Sequence, residues 1–349
     1  MNLSANTAGT ATAAEPPPGA QLMQIIGSVF VSQAVYVAAK LGIADLLADG
    51  PRSAEFLSVA TSTNESALYR LLRATSSVGV FTEVEPRTFI NTPMSETLRA
   101  DHPESTRELT IWLNEPDHWA VYAEMMYSVK SGEPAWDKVH GEPVFETLFN
   151  KNRELGEIFN RAMTSYSNLT IPAIVNAYDF SGSIKIADIA GGYGHLLGAI
   201  LKANPEANGV LFEIPQVLEG APEMMKSYGV SDRVELVTGD FTKEIPVEAD
   251  LYLLKHIIHD WYDEKNVGIL SNIRRSMPHT ARVLIIDAVI PEGNEPHFGK
   301  VIDLEMLVSP GGMERTASEF DALLTRAGFR MKRIIPTASP VAIIEAVKN

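Results

Sequence analysis

A chain of 349 residues, 45% hydrophobic and 21% charged, is long enough for two cores and ordinary in composition for a globular protein. Its formal net charge of −15 argues against a nucleic-acid backbone as partner, and the absence of cysteine excludes disulfides, thiolate metal sites and cysteine nucleophiles. With no apolar run near the length of a bilayer, these features point to a cytoplasmic enzyme of small molecules that neither spans nor needs a membrane.

Residues 1–20 are rich in Ala and Thr and end in Glu15-Pro16-Pro17-Pro18-Gly19. They lack the basic and apolar segments of a signal peptide and read as a disordered tail. From Leu22 to Leu47 apolar side chains (Leu22, Ile25, Ile26, Val29, Phe30, Val35, Val37, Leu41) occupy nearly every helical face. Such a segment predicts two helices, broken at Gly42, that could pack against a second subunit. A helix from about Ala54, another over Ser66–Ser77 and a hairpin from Val80–Val84 to Thr88–Asn91 have the order of a winged helix. A DNA-binding role would need more cations than Arg70 and Arg73, so residues 21–100 are read as a dimerisation domain.

Residues 101–180 are helical and aromatic, with Trp112, Trp119, Tyr122, Trp136, Phe145, Phe149 and Phe159, and predict a cap over a substrate. After a boundary near Asp179–Ser183 the pattern changes to short apolar runs between helical stretches, the signature of a parallel sheet with crossovers. Seven strands are predicted in 181–349: Lys185–Ile189, Gly209–Glu213, Val234–Thr238, Asp250–Leu254, Val283–Asp287, Arg330–Ile335 and Val341–Val347. The fold class is therefore α/β, a Rossmann-like seven-stranded sheet behind an N-terminal helical, winged-helix dimerisation domain.

The polar candidates collect at the carboxyl ends of these strands, where open parallel sheets bind ligands. The first strand runs out through Asp188 into Ala190-Gly191-Gly192-Tyr193-Gly194, a turn in which glycines let backbone approach a ligand. A dinucleotide fingerprint would have a third glycine where Leu197 stands, which disfavours a nicotinamide oxidoreductase. Glu213 ends the second strand at the spacing of a ribose-binding acid, and Asp240-Phe241 after the third offers a carboxylate and a ring to a purine.

Beyond the fourth strand comes Lys255-His256-Ile257-Ile258-His259-Asp260-Trp261. A phenol with pKa of about 10 is mostly protonated at neutral pH, so methylating its oxygen calls for a base such as histidine. His259, at the rim, is read as that base and His256 as a core residue. A metal held by His256, His259 and Asp260 lacks a convincing further ligand, and no metal is expected. Asp287 and Glu314 are the acids that would orient His259. Glu314 lies in Pro310-Gly311-Gly312-Met313, outside a helix that Thr316 and Glu319 open as a capping box; an ion pair with Arg315 is its competing use. Met163, Met306 and Met313 read on their own as core.

Together these residues resemble the class I S-adenosylmethionine-dependent O-methyltransferases of the plant caffeate and isoflavone type, with bacterial relatives that tailor polyketides and phenazines. The resemblance runs from about residue 22 to the end. It rests on D-x-x-G-G-x-G at 188–194, F-E-I-P at 212–215, G-D-F at 239–241, L-K-x-x-x-H-D-W at 254–261 and P-G-G-x-E-R-T at 310–316. It implies a homodimer, S-adenosyl-L-methionine as methyl donor with S-adenosyl-L-homocysteine as product, and a small aromatic acceptor. By the same resemblance Ser167, Asp188, Gly191, Gly192, Glu213, Asp240, Phe241, Lys255 and Trp261 would contact the cofactor. Phe159, Met163, Asp260 and Met306 would contact the acceptor, and His259, Asp287 and Glu314 would carry the proton chemistry. N- or C-methylation and a winged-helix regulator are the alternatives. The chain departs from the family's usual residues with Ala190 for glycine, Glu213 for aspartate and Asp287 for the glutamate of the plant enzymes, which shortens the reach to His259 by a methylene.

Overall fold

The computed structural model describes residues 16–349, which form two compact units divided between Arg99 and Ala100. Residues 1–15, most of the expected tail, lie outside the described residues; Pro18–Ala20, which close it, already belong to a helix.

In the first unit Pro17 and Pro18 open the helix Pro18–Lys40, a place where the missing N–H costs nothing. Gly42, at φ 64, turns the chain into Ile43–Leu46. Ser53 and Asn64 cap the helices Ala54–Ala60 and Glu65–Ser77 by accepting the N–H groups of Phe56 and Ala67. Strands β1 (Arg52–Ser53), β2 (Phe81–Glu85) and β3 (Thr88–Asn91) form an antiparallel sheet in the order β1-β3-β2. Helix, helix and hairpin thus follow in the expected order, with the short β1 added.

One expectation about the first helix changes. Within the single chain only Ala38 and Ala39 of Pro18–Lys40 are buried, while Leu22, Met23, Ile25, Ile26 and Phe30 are exposed. The helix is also long and apolar enough, by length and composition, to cross a membrane, contrary to the reading that no run approaches that length. Gln21, Gln24 and Ser28 interrupt the apolar run without shortening the helix.

The second unit begins with short helices (Arg107–Trp112, Pro116–Ala123, Met125–Ser131, Ala135–His140) and the long Arg153–Ala177. Trp112, His118, Trp136 and Phe159 knit them together, with the ring of Trp112 4.4 Å from His118 and 5.2 Å from Phe159. Then come β4 (Lys185–Ile189), β5 (Asn208–Glu213), β6 (Val234–Thr238), β7 (Leu251–Lys255), β8 (Arg282–Asp287), β9 (Phe329–Pro336) and β10 (Ala342–Lys348) in the sheet order β6-β5-β4-β7-β8-β10-β9. The side chains alternate between two buried faces: Ala187, Val210, Phe212, Tyr252 and Ile285 face one way, and Ile186, Leu211, Leu253 and Ile286 the other. The expected parallel sheet is corrected at β10, which runs antiparallel to both β8 and β9. The cause is the connection, since five residues between β9 and β10 can make a hairpin but not a crossover.

Candidate active site

The carboxyl edge of the parallel strands opens into two cavities that share the wall residues Phe145, Phe159, Met163, Tyr166, His256 and Asp260. The larger, about 780 Å³, lies over the ends of β4, β5 and β7. It gathers all the expected cofactor contacts: Ser167, Asp188, Gly191, Gly192, Glu213, Asp240, Phe241, Lys255 and Trp261. The smaller, about 160 Å³, is bounded by Trp112, Phe298, Met306, His259 and Glu314.

The turn after β4 is shaped by contact as well as by dihedral angle. A Cβ on Gly191 would strike the Asp188 carboxyl group, and Gly192 and Gly194 adopt φ of +61 and +84. Ala190 takes φ +54 without the freedom of a glycine. Glu213 accepts hydrogen bonds from the Gly192 N–H (3.0 Å) and the Ile214 N–H (2.8 Å), one on each oxygen. Burial pushes its carboxyl, and that of Asp188, up to about 7. Asp240 accepts from the Thr242 amide (2.9 Å) and hydroxyl (2.5 Å) and lies 3.1 Å from Lys243; although burial opposes it, these partners hold the carboxyl below its ordinary value. Lys255 donates to the Ser167 hydroxyl (3.1 Å), and burial lowers its ammonium to about 8 despite Asp188 and Asp287. The indole N–H of Trp261 is buried without a partner and Lys265 sits 3.3 Å over its ring.

His259 follows β7 on a single 3₁₀ turn, Ile258–Asp260. Its Nδ1 lies 2.8 Å from Glu314 Oε1 and its Nε2 3.5 Å from Asp260 Oδ1. Burial alone would lower the ring, but Glu314, Asp287 and Asp260 overcome it and push it up to about 10. Asp260 is itself raised to about 7 by burial. The competing use of Glu314 is absent. Arg315, fully buried, donates instead to the carbonyls of Ile258 and Trp261 and to Asp263 (2.9 Å), leaving Glu314 to the imidazole.

Asp287 differs from expectation. It makes no hydrogen bond to His259; its Oδ1 accepts the backbone N–H of His256 at 3.0 Å, and it lines neither cavity. Asp287 acts on His259 only through its charge. His256 differs too. It is only partly buried, it lines both cavities, and neither ring nitrogen has a hydrogen-bond partner. His256, His259 and Asp287 bring donor atoms within 4.8 Å of one another, yet His259 Nδ1 is engaged by Glu314 and Asp287 Oδ1 by backbone.

Phe159 and Met163 line both cavities and Met306 the smaller, so the methionines, core by sequence alone, face space. Sequence reasoning missed Tyr166, whose ring lies 5.0 Å from His256, and Glu305, which lines the smaller cavity and meets His118 Nε2 at 2.8 Å. No motif marks either; only the helical phase of Phe159, Met163 and Tyr166 could have placed Tyr166 on one face.

Comparison with known proteins gives a consistent result. Residues 122–330 match the O-methyltransferase domain and residues 23–101 the O-methyltransferase dimerisation domain. A phenazine O-methyltransferase of Lysobacter antibioticus is 44% identical, over 95% of this chain and 96% of that one. An 8-amino-8-demethylriboflavin N,N-dimethyltransferase of Streptomyces davaonensis is 38% identical, over 90% and 91%. Among solved structures, LaPhzM shares 43% identity at a TM-score of 0.91, covering 96% of this chain and all of that one. A methyltransferase of calicheamicin biosynthesis in its S-adenosylhomocysteine-bound form shares 32% identity at a TM-score of 0.85, with 96% and 100% covered.

Proposed function

The chain belongs to the O-methyltransferase family, and from that premise we propose that it carries a methyl group from S-adenosylmethionine to a hydroxyl oxygen of a small aromatic acceptor, with His259 as base. The observation that carries this reading is the imidazole of His259, fixed by Glu314 on the wall of the smaller cavity beside Asp260, which lines both cavities.

The residues of the larger cavity suit the donor. Each Glu213 oxygen holds one backbone N–H and keeps a lone pair for a sugar hydroxyl. Asp188 and Glu213, buried and raised to about 7, make a cleft in which positive charge is welcome. Gly191 keeps the turn clear where any Cβ would collide. Bound there, S-adenosylmethionine supplies a methyl group on a positively charged sulfur.

Phe159, Met163 and Met306 give a flat ring an apolar wall. With Nδ1 tied to Glu314, His259 takes the acceptor's proton at Nε2. A ring at about 10 and a phenol of about 10 are matched, so the transfer is nearly level in energy. Glu314, Asp287 and Asp260 then steady the imidazolium. A cation entering the neighbouring cavity favours the neutral, proton-accepting ring.

The exposed Met23, Ile25, Ile26 and Phe30 fall within the matched dimerisation domain, which favours a homodimer through the N-terminal unit over insertion in a membrane. A net charge of −15 fits a cytoplasmic enzyme without a nucleic-acid partner. N-methylation is the second reading, favoured by the riboflavin N,N-dimethyltransferase relative. The test is calorimetry with S-adenosylmethionine followed by transfer of a labelled methyl to a panel of phenols and anilines. Tight binding with label on phenol oxygen is expected; label on nitrogen alone would shift the assignment to the second reading, and no binding would remove both.

A further inference from the structure

His256 spends backbone and solvation energy on a ring that the protein itself leaves unsatisfied. It is one of four described non-glycine residues at positive φ (+57), a conformation that strains any residue with a Cβ. Its N–H is pinned by Asp287 Oδ1 at 3.0 Å and the Ile286 carbonyl at 3.2 Å, which fixes the strained turn. The ring is layered between Tyr166, 5.0 Å away, and His259, 5.1 Å away and tilted by 31°. Both ring nitrogens are buried without a partner, and Asp287 Oδ1 stays 3.6 Å from Nδ1. A leucine or phenylalanine would fill this space without orphaning a donor and an acceptor. Burial and the charges of Lys255 and His259 hold the ring well below its ordinary value, so it is neutral, with one nitrogen to donate and one to accept.

We infer that His256 is a second recognition group for the acceptor, hydrogen-bonding a polar atom on the ring position next to the oxygen presented to His259. The inference rests on the oxygen-methylation reading and narrows its substrates to aromatics with two polar atoms on neighbouring positions: a second hydroxyl, an amino group or a ring nitrogen beside the methylated hydroxyl. The placement supports this, because His256 lines the wall common to both cavities while its neighbour imidazole faces the smaller one. A single-hydroxyl acceptor leaves the His256 nitrogens unmatched and loses that hydrogen bond.

The test compares kcat/KM for 2,3-dihydroxynaphthalene and 2-naphthol. The wild-type enzyme should favour the diol by about tenfold, the worth of one buried hydrogen bond. His256→Phe keeps a stacked ring without nitrogens, and His256→Gly relieves the left-handed strain. In both, the preference should fall to about the twofold that two equivalent hydroxyls give by statistics, and His256→Asn should restore part of it. Titration with S-adenosylhomocysteine reports whether each variant keeps its fold. A merely structural role would depress both acceptors equally, so an unchanged ratio in either variant that still binds overturns the inference while the methyl-transfer reading stands. Wild-type enzyme that binds S-adenosylhomocysteine but methylates neither naphthol overturns the oxygen-acceptor reading and this inference with it.

Discussion

The Met313 N–H donates to the carbonyl of His259 across 2.9 Å, so the loop that carries Glu314 is laced to the backbone of the residue whose ring Glu314 holds. The lacing needs Gly312, where a Cβ would collide with the His259 carbonyl oxygen and the Asp260 backbone. Gly312→Ala should therefore part the two segments. Overpacking of this kind costs about 1–3 kcal/mol, and displacing a catalytic group by an ångström costs about 100-fold in rate. Thermal unfolding and turnover measured together should both fall; a variant as active as wild type would show the loop to be dispensable.

Glu314→Gln separates orientation from charge. The amide can still meet Nδ1 but no longer stabilises the imidazolium, so the His259 ring, now at about 10, should titrate lower. Turnover needs the neutral ring, and so the wild-type rate should climb with pH towards that value. In Glu314→Gln the rising limb should move to lower pH while its plateau drops. A limb that keeps its midpoint would detach the titration from this pair.

Much of this was legible in the sequence, for a reason that Glu213, His259 and Glu314 share. Glu213 ends an apolar strand, His259 follows the next apolar run by four residues and Glu314 stands two residues before a capping box, so the rim could be placed from the sequence. What was not legible depends on the third dimension. Asp287 and Glu314 look interchangeable as partners of His259, and only the geometry shows one reaching the ring and the other a backbone N–H. His256 reads as the end of a buried strand, and its left-handed φ has no sequence signal because residues other than glycine seldom adopt it. The apolar character of Pro18–Lys40 was plain, but the breadth of its exposed face emerged only from the folded chain.

Ala190 tests whether the turn after β4 carries strain it does not need. At φ +54 an alanine is held where glycine is at ease, so Ala190→Gly should raise stability by up to about 1 kcal/mol. Chemical denaturation of the ligand-free enzyme measures this. A clear loss of stability would mean that the methyl group of Ala190, packed against the core beside β4, matters more than the dihedral angle.

Asp188 gives a pH signature. Its carboxyl is raised by burial from 3.8 to about 7, so the folded protein holds a proton there that the unfolded chain has released. Stability from this group is complete below about pH 4 and is lost as pH climbs to about 7, on the order of a few kcal/mol. Asp188→Asn removes the titration. The gap between the melting temperatures of wild type and variant should therefore move in the variant's favour across that window; a gap that is flat, or that moves the other way, sinks the assignment.

The His118–Glu305 pair, 2.8 Å apart, is a hydrogen-bonded imidazole–carboxylate contact on the wall of the smaller cavity, with His118 fully buried. Burial would raise the Glu305 carboxyl, but the imidazole and the hydroxyls of Tyr122 and Ser309 bring it below its ordinary value. Removing one partner leaves a charge without compensation, which typically costs about 3–5 kcal/mol, whereas replacing both with apolar groups is often close to neutral. His118→Phe should accordingly destabilise strongly, the Phe ring still packing on Trp112, and His118→Phe with Glu305→Leu should recover most of the loss. The coupling read from urea unfolding of the four proteins of this cycle should exceed about 1 kcal/mol. If the two substitutions add, the carboxylate is not held by His118, and its charge must be satisfied by Tyr122 and Ser309 alone.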